Sequence, residues 1–217
     1  MAADWLMLET FTEPQAARLR FYGWSREAFT FGYGQKWTEA RAASGLGTDL
    51  VRRPTGGGLV DHRQDWTYAL VLPAMHPLAQ AGACESYRAV HEALVQALKE
   101  RGAHCKLQVG NCKSAKGNLA VCFQKAEMFD IVREDDGRKI AGAAQKRTRK
   151  GLLFQGSVDR SAATEVDDWK KLDESFVKRL AETLDCKLEN WARPSWPEAT
   201  LTETAGRFGS KEWNEKR

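Results

Sequence analysis

The chain has 217 residues, 42% of them apolar, and its 33 Lys and Arg against 29 Asp and Glu give a net charge of +4. That length and apolar content suit one domain with a sizeable core, and a mild charge of alternating sign does not by itself indicate nucleic-acid binding. Five cysteines without a CxxC pair exclude a disulfide framework and a zinc ribbon, and no apolar run is long enough for a membrane span, so we expect a cytoplasmic protein with reduced thiols.

The N-terminal half predicts one helix followed by strands. Residues 2–13 are expected to be helical, and the aromatic segments 18–24 and 29–35 alternate as strands do, with a turn at SREA between them. A short strand is expected at 49–53. The apolar run 66–73, which Pro73 ends, predicts a buried strand.

The C-terminal half predicts two amphipathic helices around further strands. Helices are expected at 84–101 and 168–184, with a last helix before Gly206. Strands are expected at 105–109 and 128–132, and then as a pair around a basic loop at 146–151. This order predicts an α+β fold in which helices pack on one mixed sheet.

The first segment that suggests a ligand-binding role is RRPTGGGLVDH (52–62), which contains three successive glycines. Backbone N–H groups of Gly56, Gly57 and Gly58 can cradle phosphate or carboxylate oxygens, and Arg52 and Arg53 can add charge-assisted bonds. The alternative is a surface hairpin with two solvated arginines. The spacing fits neither a P-loop nor a dinucleotide-binding fingerprint.

A lysine followed by small residues marks the second such segment, GRKIAGAAQKRTRKGLLFQGS (137–157). Lys139 can hold an acyl carbonyl or a phosphate, and the small residues from Gly142 onward leave room for a substrate beside the strand; otherwise Lys139 is a solvated edge-strand lysine. Residues 137–158 hold six basic residues and no acid. This bias suits either docking of an acidic partner or an ordinary charged hairpin tip.

Cys122 lies in LAVCFQK, between Val121 and Phe123. Such a cysteine is either a buried, inert thiol or a nucleophile that forms an acyl thioester when nearby positive charge stabilises its thiolate. The residues near the other four cysteines in the sequence do not suggest a chemical role for them, and we interpret them as structural.

Taken together, these segments resemble the biotin/lipoate A/B protein ligase superfamily, in its lipoate-protein ligase and cysteine-dependent octanoyltransferase branch. RFYGW…FGYGQ resembles the family's paired N-terminal strands, RRPTGGGLVDH its substrate loop, and GRKIAGAAQKR with the later QGS its lysine signature. The resemblance covers nearly the whole chain and implies a single catalytic domain, residues 1–217, similar to class II aminoacyl-tRNA synthetases and biotin ligases. The family carries an edge strand before the segment that MAADWLMLE resembles, so we expect either a misplaced start codon or a member that lacks this strand.

The resemblance also implies the residues of the site and two possible reactions. Lys139 would hold the acyl carbonyl, and the cleft and signature positions are Arg53, Thr55, Gly56, Gly57, Gly58, His62, Asp130, Gly142, Gly156 and Ser157, with no metal ligand among them. In ligases the position of Asp130 lies near the nucleotide. Gln155 and Arg63 depart from the family, which often has His at the first position and an acidic residue at the second.

A transferase would take octanoate from an acyl-carrier protein through a Cys122 thioester and needs no cofactor, whereas a ligase would activate lipoate with ATP and Mg²⁺ as lipoyl-AMP. Either would acylate a lysine of a lipoyl carrier, the glycine-cleavage H protein or a dehydrogenase E2 domain. Cys122 and the absence of an accessory domain favour the transferase. A non-catalytic binding module is a third hypothesis, and biotin ligation a weaker fourth, since the family's biotin motif is not found. We expect neither a membrane nor a nucleic-acid partner.

Overall fold

The computed structural model describes residues 1–10, 16–45, 47–110, 126–190 and 195–216. Its helices are α1 (Ala2–Glu9), α2 (Trp37–Ser44), α3 (Pro77–Gln80), α4 (Ala83–Glu100), α5 (Trp169–Leu184), α6 (Glu198–Gly209) and α7 (Lys211–Asn214). Its strands are β1 (Arg18–Tyr22), β2 (Ala28–Phe31), β3 (Asp49–Arg52), β4 (Val60–Asp61), β5 (Asp65–Pro73), β6 (Cys105–Leu107), β7 (Ile131–Arg133), β8 (Lys139–Thr148) and β9 (Gly151–Asp159).

The described strands form two sheets. Six of them lie in the order β1-β5-β9-β8-β7-β6, and each neighbouring pair is antiparallel. The small sheet has the order β3-β2-β4, with β2 parallel to β3 and antiparallel to β4. The predicted α+β class is confirmed. Among the described strands, the parallel pairing lies in the small sheet, between β2 and β3, and the six-stranded sheet is antiparallel.

One face of the six-stranded sheet carries the main core. Along β5 the side chains alternate, so that Trp66, Tyr68, Leu70 and Leu72 all face this core. The apolar faces of α4 and α5 pack against them, with Leu94 and Phe176 fully buried. Both long helices therefore lie on the same side of the sheet.

The opposite face is divided between a second core and a pocket. Ala69, Val71 and Leu153 on this face are covered by Met7 and Leu8 of α1. The small sheet forms its own core with α2, as Phe31 packs against Trp37. The part of this face that α1 does not cover lies below the small sheet and forms the floor of the pocket.

The elements differ from the predictions mainly in pairing and length. The segments predicted at 18–24 and 29–35 do not pair with each other: β1 joins β5, whereas β2 belongs to the small sheet. The helix predicted at 2–13 ends at Glu9, and the one placed before Gly206 continues to Gly209. The predicted basic loop is a two-residue turn, since β8 extends to Thr148 and β9 begins at Gly151.

The C-terminal segment holds the small sheet through one buried guanidinium. Arg52 is fully buried and donates to the Asn214 backbone carbonyl (2.7 Å) and to the carbonyls of Tyr33 (2.7 Å) and Gln35 (2.6 Å). Its backbone N–H donates to Oδ1 of Asn214 at 2.7 Å. The first arginine of the predicted glycine loop thus fastens α7 to β3.

None of the helices in the described ranges combines the length and the apolar content that a bilayer crossing requires.

Candidate active site

The floor of the pocket is a row of residues that crosses four strands. Tyr22 of β1 pairs with Thr67 of β5, Thr67 with Ser157 of β9, and Ser157 with Gly142 of β8. Because neighbouring strands lie about 4.8 Å apart, this row spans about 14 Å. Lys139 stands beside Gly142 at one end of the row.

Lys139 is held by a buried carboxylate. Its ammonium lies 2.7 Å from Oδ2 of Asp130, and only 5% of Lys139 and 1% of Asp130 is exposed. Tyr87 of α4 donates its hydroxyl to Oδ1 of Asp130 at 2.5 Å and accepts the backbone N–H of Ala143 at 2.9 Å. Burial and the Asp130 charge raise the pKa of Tyr87 well above its usual value, so this hydroxyl stays protonated and donates.

Gly142 is required at this place by the lysine itself. A Cβ there would lie 2.8 Å from both Cε and Nζ of Lys139 and 3.0 Å from Oδ1 of Asp130. Gly156 has a comparable reason, because its Cβ would lie 2.3 Å from the ring of Tyr68 on the core side. Both glycines can therefore be explained without a substrate.

The roof of the pocket is formed by Thr30, Arg53, Val60 and His62 of the small sheet and its connections. The glycine loop, residues 54–59, lies between β3 and β4. Arg53 donates to the carbonyls of Gly56 (2.9 Å) and Gly58 (2.8 Å) and to Oγ1 of Thr30 (2.7 Å). The loop also packs closely on Gly32, whose Cβ would lie 1.9 Å from the Gly57 carbonyl oxygen. The guanidinium thus shapes the loop from inside.

His62 continues this hydrogen-bonded chain. Its Nδ1 lies 2.5 Å from Oδ2 of Asp65 and its Nε2 lies 2.6 Å from Oγ1 of Thr30, while Trp24 stacks on the ring at 4.1 Å. Burial lowers the pKa of His62, which favours the neutral ring. A neutral ring that donates from Nδ1 to Asp65 accepts the Thr30 hydroxyl at Nε2.

A second buried chain connects α1 to the glycine loop. Asp4, fully buried, accepts from Arg20 (2.6 Å), from Tyr22 (3.0 Å) and from Nε2 of Gln155 (2.7 Å). The carboxamide oxygen of Gln155 in turn accepts the hydroxyl of Thr55 at 2.9 Å. Gln155, one of the two residues that depart from the resembling family, therefore joins the first helix to the loop.

The pocket between floor and roof has about 440 Å³ of empty space, a volume that includes its open mouth. Five of its polar residues have their polar groups in hydrogen bonds or ion pairs within the protein, namely Thr30, Arg53, His62, Lys139 and Gln155. The surface left for a ligand is accordingly mostly apolar.

The structure brings together part of the predicted site. The predicted residues that line the pocket are Arg53, His62, Lys139, Gly142, Gly156 and Ser157. Asp130 lies behind the wall on Lys139, and Thr55 is fully buried on Gln155. Gly56, Gly57 and Gly58 form the loop above the pocket without lining it. Cys122 and Cys112 lie outside the described residues.

The basic hairpin lies at the other end of β8 from the pocket. Thr148 lies nine positions after Lys139, which corresponds to about 30 Å of strand. Arg147 donates to the Ala79 carbonyl and to the Ser86 hydroxyl, and Arg149 and Lys150 form the exposed turn. Docking of an acidic partner at this tip stays a prediction.

Sequence reasoning missed the residues that hold the site from behind: Asp4, Tyr22, Thr30, Asp65 and Tyr87. Asp4 offered one signal, since it is an acidic residue inside an otherwise apolar helix. Tyr87 offered none, because its position on the helix suits a core residue equally well.

The comparison with family models identifies the chain. Residues 1–180 match the lipoyl protein ligase A/B catalytic domain, so the chain belongs to that family.

Relatives named octanoyltransferase LipM agree with this assignment. The protein of Anoxybacillus flavithermus is 33% identical over 73% of this chain and 59% of its own length. The protein of Geobacillus kaustophilus is 29% identical over 100% of this chain and 93% of its own length. The chain thus spans less than two thirds of the first of these relatives.

Solved structures share the fold. Protein Ta0514 of T. acidophilum, solved with bound lipoic acid, superposes with a TM-score of 0.75 at 21% identity, covering 100% of this chain and 92% of that one. A lipoate-protein ligase A bound with ATP gives a TM-score of 0.70 at 20% identity, covering 99% and 92%. These likenesses confirm the predicted lipoate-ligase type of fold.

Proposed function

We propose that the chain is an octanoyltransferase, with its site in one catalytic domain, which moves an octanoyl group from an acyl-carrier protein to a lysine of a lipoyl carrier domain through a thioester on Cys122. The single observation that carries the proposal is a charged, buried Lys139–Asp130 pair at the end of a mostly apolar pocket. The names of the relatives favour octanoyl transfer over other reactions of the family.

Lys139 is suited to stabilise an oxyanion. Asp130 pairs with the ammonium at 2.7 Å, in a place where an unpaired charge would cost several kcal/mol. The negative charge that develops on an acyl carbonyl oxygen is best met by such a donor, fixed beforehand and screened from water.

The proposed reaction has two acyl-transfer steps. The Cys122 thiolate attacks the donor thioester, a new C–S bond forms, and the carrier's sulfur leaves and takes up a proton. The neutral ε-amine of the acceptor lysine then attacks, the C–S bond to Cys122 breaks, and the departing thiolate takes the proton that the amine loses. A thioester thus becomes an amide and a thiol, with Lys139 facing the oxyanion in both steps.

The residues at Asp130 do not suit the ATP-dependent alternative. Oδ1 is occupied by Tyr87, and Oδ2 by Lys139 and the backbone N–H of Glu127 at 2.7 Å. Both carboxylate oxygens of Asp130 are thus engaged within the protein, and the proposed reaction has no step through ATP or Mg²⁺.

Intact-protein mass spectrometry tests the thioester. After incubation with octanoyl-acyl-carrier protein and no ATP, we expect a hydroxylamine-labile octanoyl adduct on Cys122, absent in Cys122→Ser and kept in Cys84→Ser, whose thiol is exposed on α4. Carrier acylation that appears only with ATP and free acid would instead establish a ligase. No acylation at all, with salt-sensitive binding to RNA or DNA, would establish a binding module.

Lys139→Ala tests the role of the lysine. Loss of one oxyanion donor lowers kcat by about 10²–10³, and we expect a loss of this order with the fold retained. Lys178→Ala, an exposed lysine on α5 across the sheet, serves as the matched control and should transfer normally. Normal turnover by Lys139→Ala would refute the assignment.

A further inference from the structure

The pocket extends across the strands of the six-stranded sheet. Its lining reaches from Lys139 at the start of β8 to Tyr22 on β1, and the last β8 residue in the lining is Ala144. The next row along the strands contains Ala69, Gln155 and Ala144, and Ala69 is already covered by α1. A long, flexible ligand therefore finds its room across the sheet.

Side chains along the row increase in size with distance from Lys139. Gly142 comes first, followed by Ser157 and Thr67, and the row ends at the phenol ring of Tyr22. The small members leave a trough above the backbone, and the ring closes its far end.

Tyr22 is fixed in place as an end wall. Its hydroxyl donates to Oδ2 of Asp4 at 3.0 Å, and the Arg20 guanidinium lies 4.3 Å above its ring. Trp24 also contacts the ring, at a centroid distance of 5.9 Å. A ring held on several sides cannot swing away to admit a longer chain without breaking the bond to Asp4.

We propose that the acyl chain lies across the strands with its carbonyl at Lys139 and its methyl end against Tyr22, so that Tyr22 sets the longest chain accepted. This inference rests on the proposed function and adds the residue that determines its chain-length specificity. The pocket wall suits such an occupant, because the polar groups of Tyr22, Thr67, Thr30 and His62 already have hydrogen-bond partners within the protein.

The test measures kcat/KM for transfer from acyl-carrier protein loaded with hexanoyl, octanoyl, decanoyl or dodecanoyl groups to an isolated lipoyl domain. Tyr22→Ala should raise the decanoyl-to-octanoyl ratio by roughly tenfold or more, the range in which a hydrophobic pocket distinguishes chain extensions. Tyr22→Phe keeps the ring and should keep the wild-type length preference.

Two further variants control for folding and position. Phe21→Leu alters the neighbouring side chain, which faces the opposite core, and should leave the length preference unchanged. Ser157→Leu fills the middle of the row, and should shift the preference toward hexanoyl even if Tyr22→Ala fails to fold.

The possible outcomes distinguish a failure of this inference from a failure of the proposed function. If Tyr22→Ala transfers octanoyl groups with the wild-type length preference, this inference is overturned and the proposed function stays intact. If Tyr22→Ala does not fold, the same result in Ser157→Leu has the same meaning. A wild-type protein that transfers no chain length would remove the proposed function and this inference with it.

Discussion

Replacing Gly142 with alanine places one methyl group against the Lys139–Asp130 pair. The added Cβ would lie 2.8 Å from Cε and Nζ of Lys139, whereas such contacts settle at about 3.5–4.0 Å. Since Gly142 pairs with Ser157 of β9 and the following N–H group, that of Ala143, donates to Tyr87, the lysine end must move rather than the strand. The displacement is therefore somewhat under 1 Å at the ammonium.

The magnitudes separate activity from stability in this variant. Overpacking of this kind costs about 1–3 kcal/mol, and we expect the free energy of unfolding to fall by that amount. A misplacement of about 1 Å at a catalytic group can cost about 10²-fold in rate. We therefore expect kcat/KM for octanoyl transfer to fall by roughly 10²-fold in a protein that remains folded.

Steady-state transfer assays and urea unfolding, run on the same preparations, measure the two effects. Gly206→Ala is the matched control: its Cβ meets nothing within 4 Å, and it lies in helix α6. That variant should gain up to about 1 kcal/mol of stability and keep full activity. Wild-type kcat/KM in Gly142→Ala would show that the observed position of Lys139 is not needed for transfer.

Three further predictions concern buried polar groups. Arg52→Lys should lower the free energy of unfolding by roughly 2–4 kcal/mol and expose α7 to proteolysis, since an ammonium cannot bond all the carbonyls that the guanidinium holds; unchanged urea midpoints would contradict the role given to Arg52. Burial lowers the pKa of His91 to about 4, so the unfolded chain binds the proton first, and stability should fall by about 3 kcal/mol as the pH drops from about 6.5 to 4. In urea titrations over that pH range, His91→Gln should lose less of its free energy of unfolding than the wild-type protein does. An equal loss in the variant and the wild type would refute the prediction. Tyr87→Phe should lower the free energy of unfolding by about 1–3 kcal/mol. It should also lower kcat with little change in KM. A rise in KM alone would argue against the role of Tyr87 in positioning Lys139 through Asp130.

Much of the fold followed from local patterns. The long helices α4 and α5 were predicted to within a residue or two at each end, because their apolar residues recur at helical spacing. Asp168 then caps α5 by accepting the backbone N–H groups of Lys170 and Lys171. Strand β5 was predicted equally well, since a continuous apolar run ended by Pro73 suits a strand buried on both faces.

Pairing between strands did not follow from those patterns. The alternation of β1 and β2 shows that each has an apolar face, but it does not show which partner will cover it. Only the folded chain placed β1 beside β5 and β2 between β3 and β4, so two neighbours in sequence lie in different sheets. A short strand adds too little local preference to decide between such partners.

The site divides in the same way. By itself the sequence determined which segments carry chemistry, since a triple glycine and a lysine followed by small residues need a close backbone approach or a pocket. Tertiary structure decided what each residue does there: Arg52 fastens α7, the adjacent Arg53 shapes the loop, and Asp130 holds Lys139. The physical reason is distance along the chain. Gln155 reaches Asp4 across 151 positions, and a buried polar group takes its partner from whatever the folded core brings within hydrogen-bonding reach.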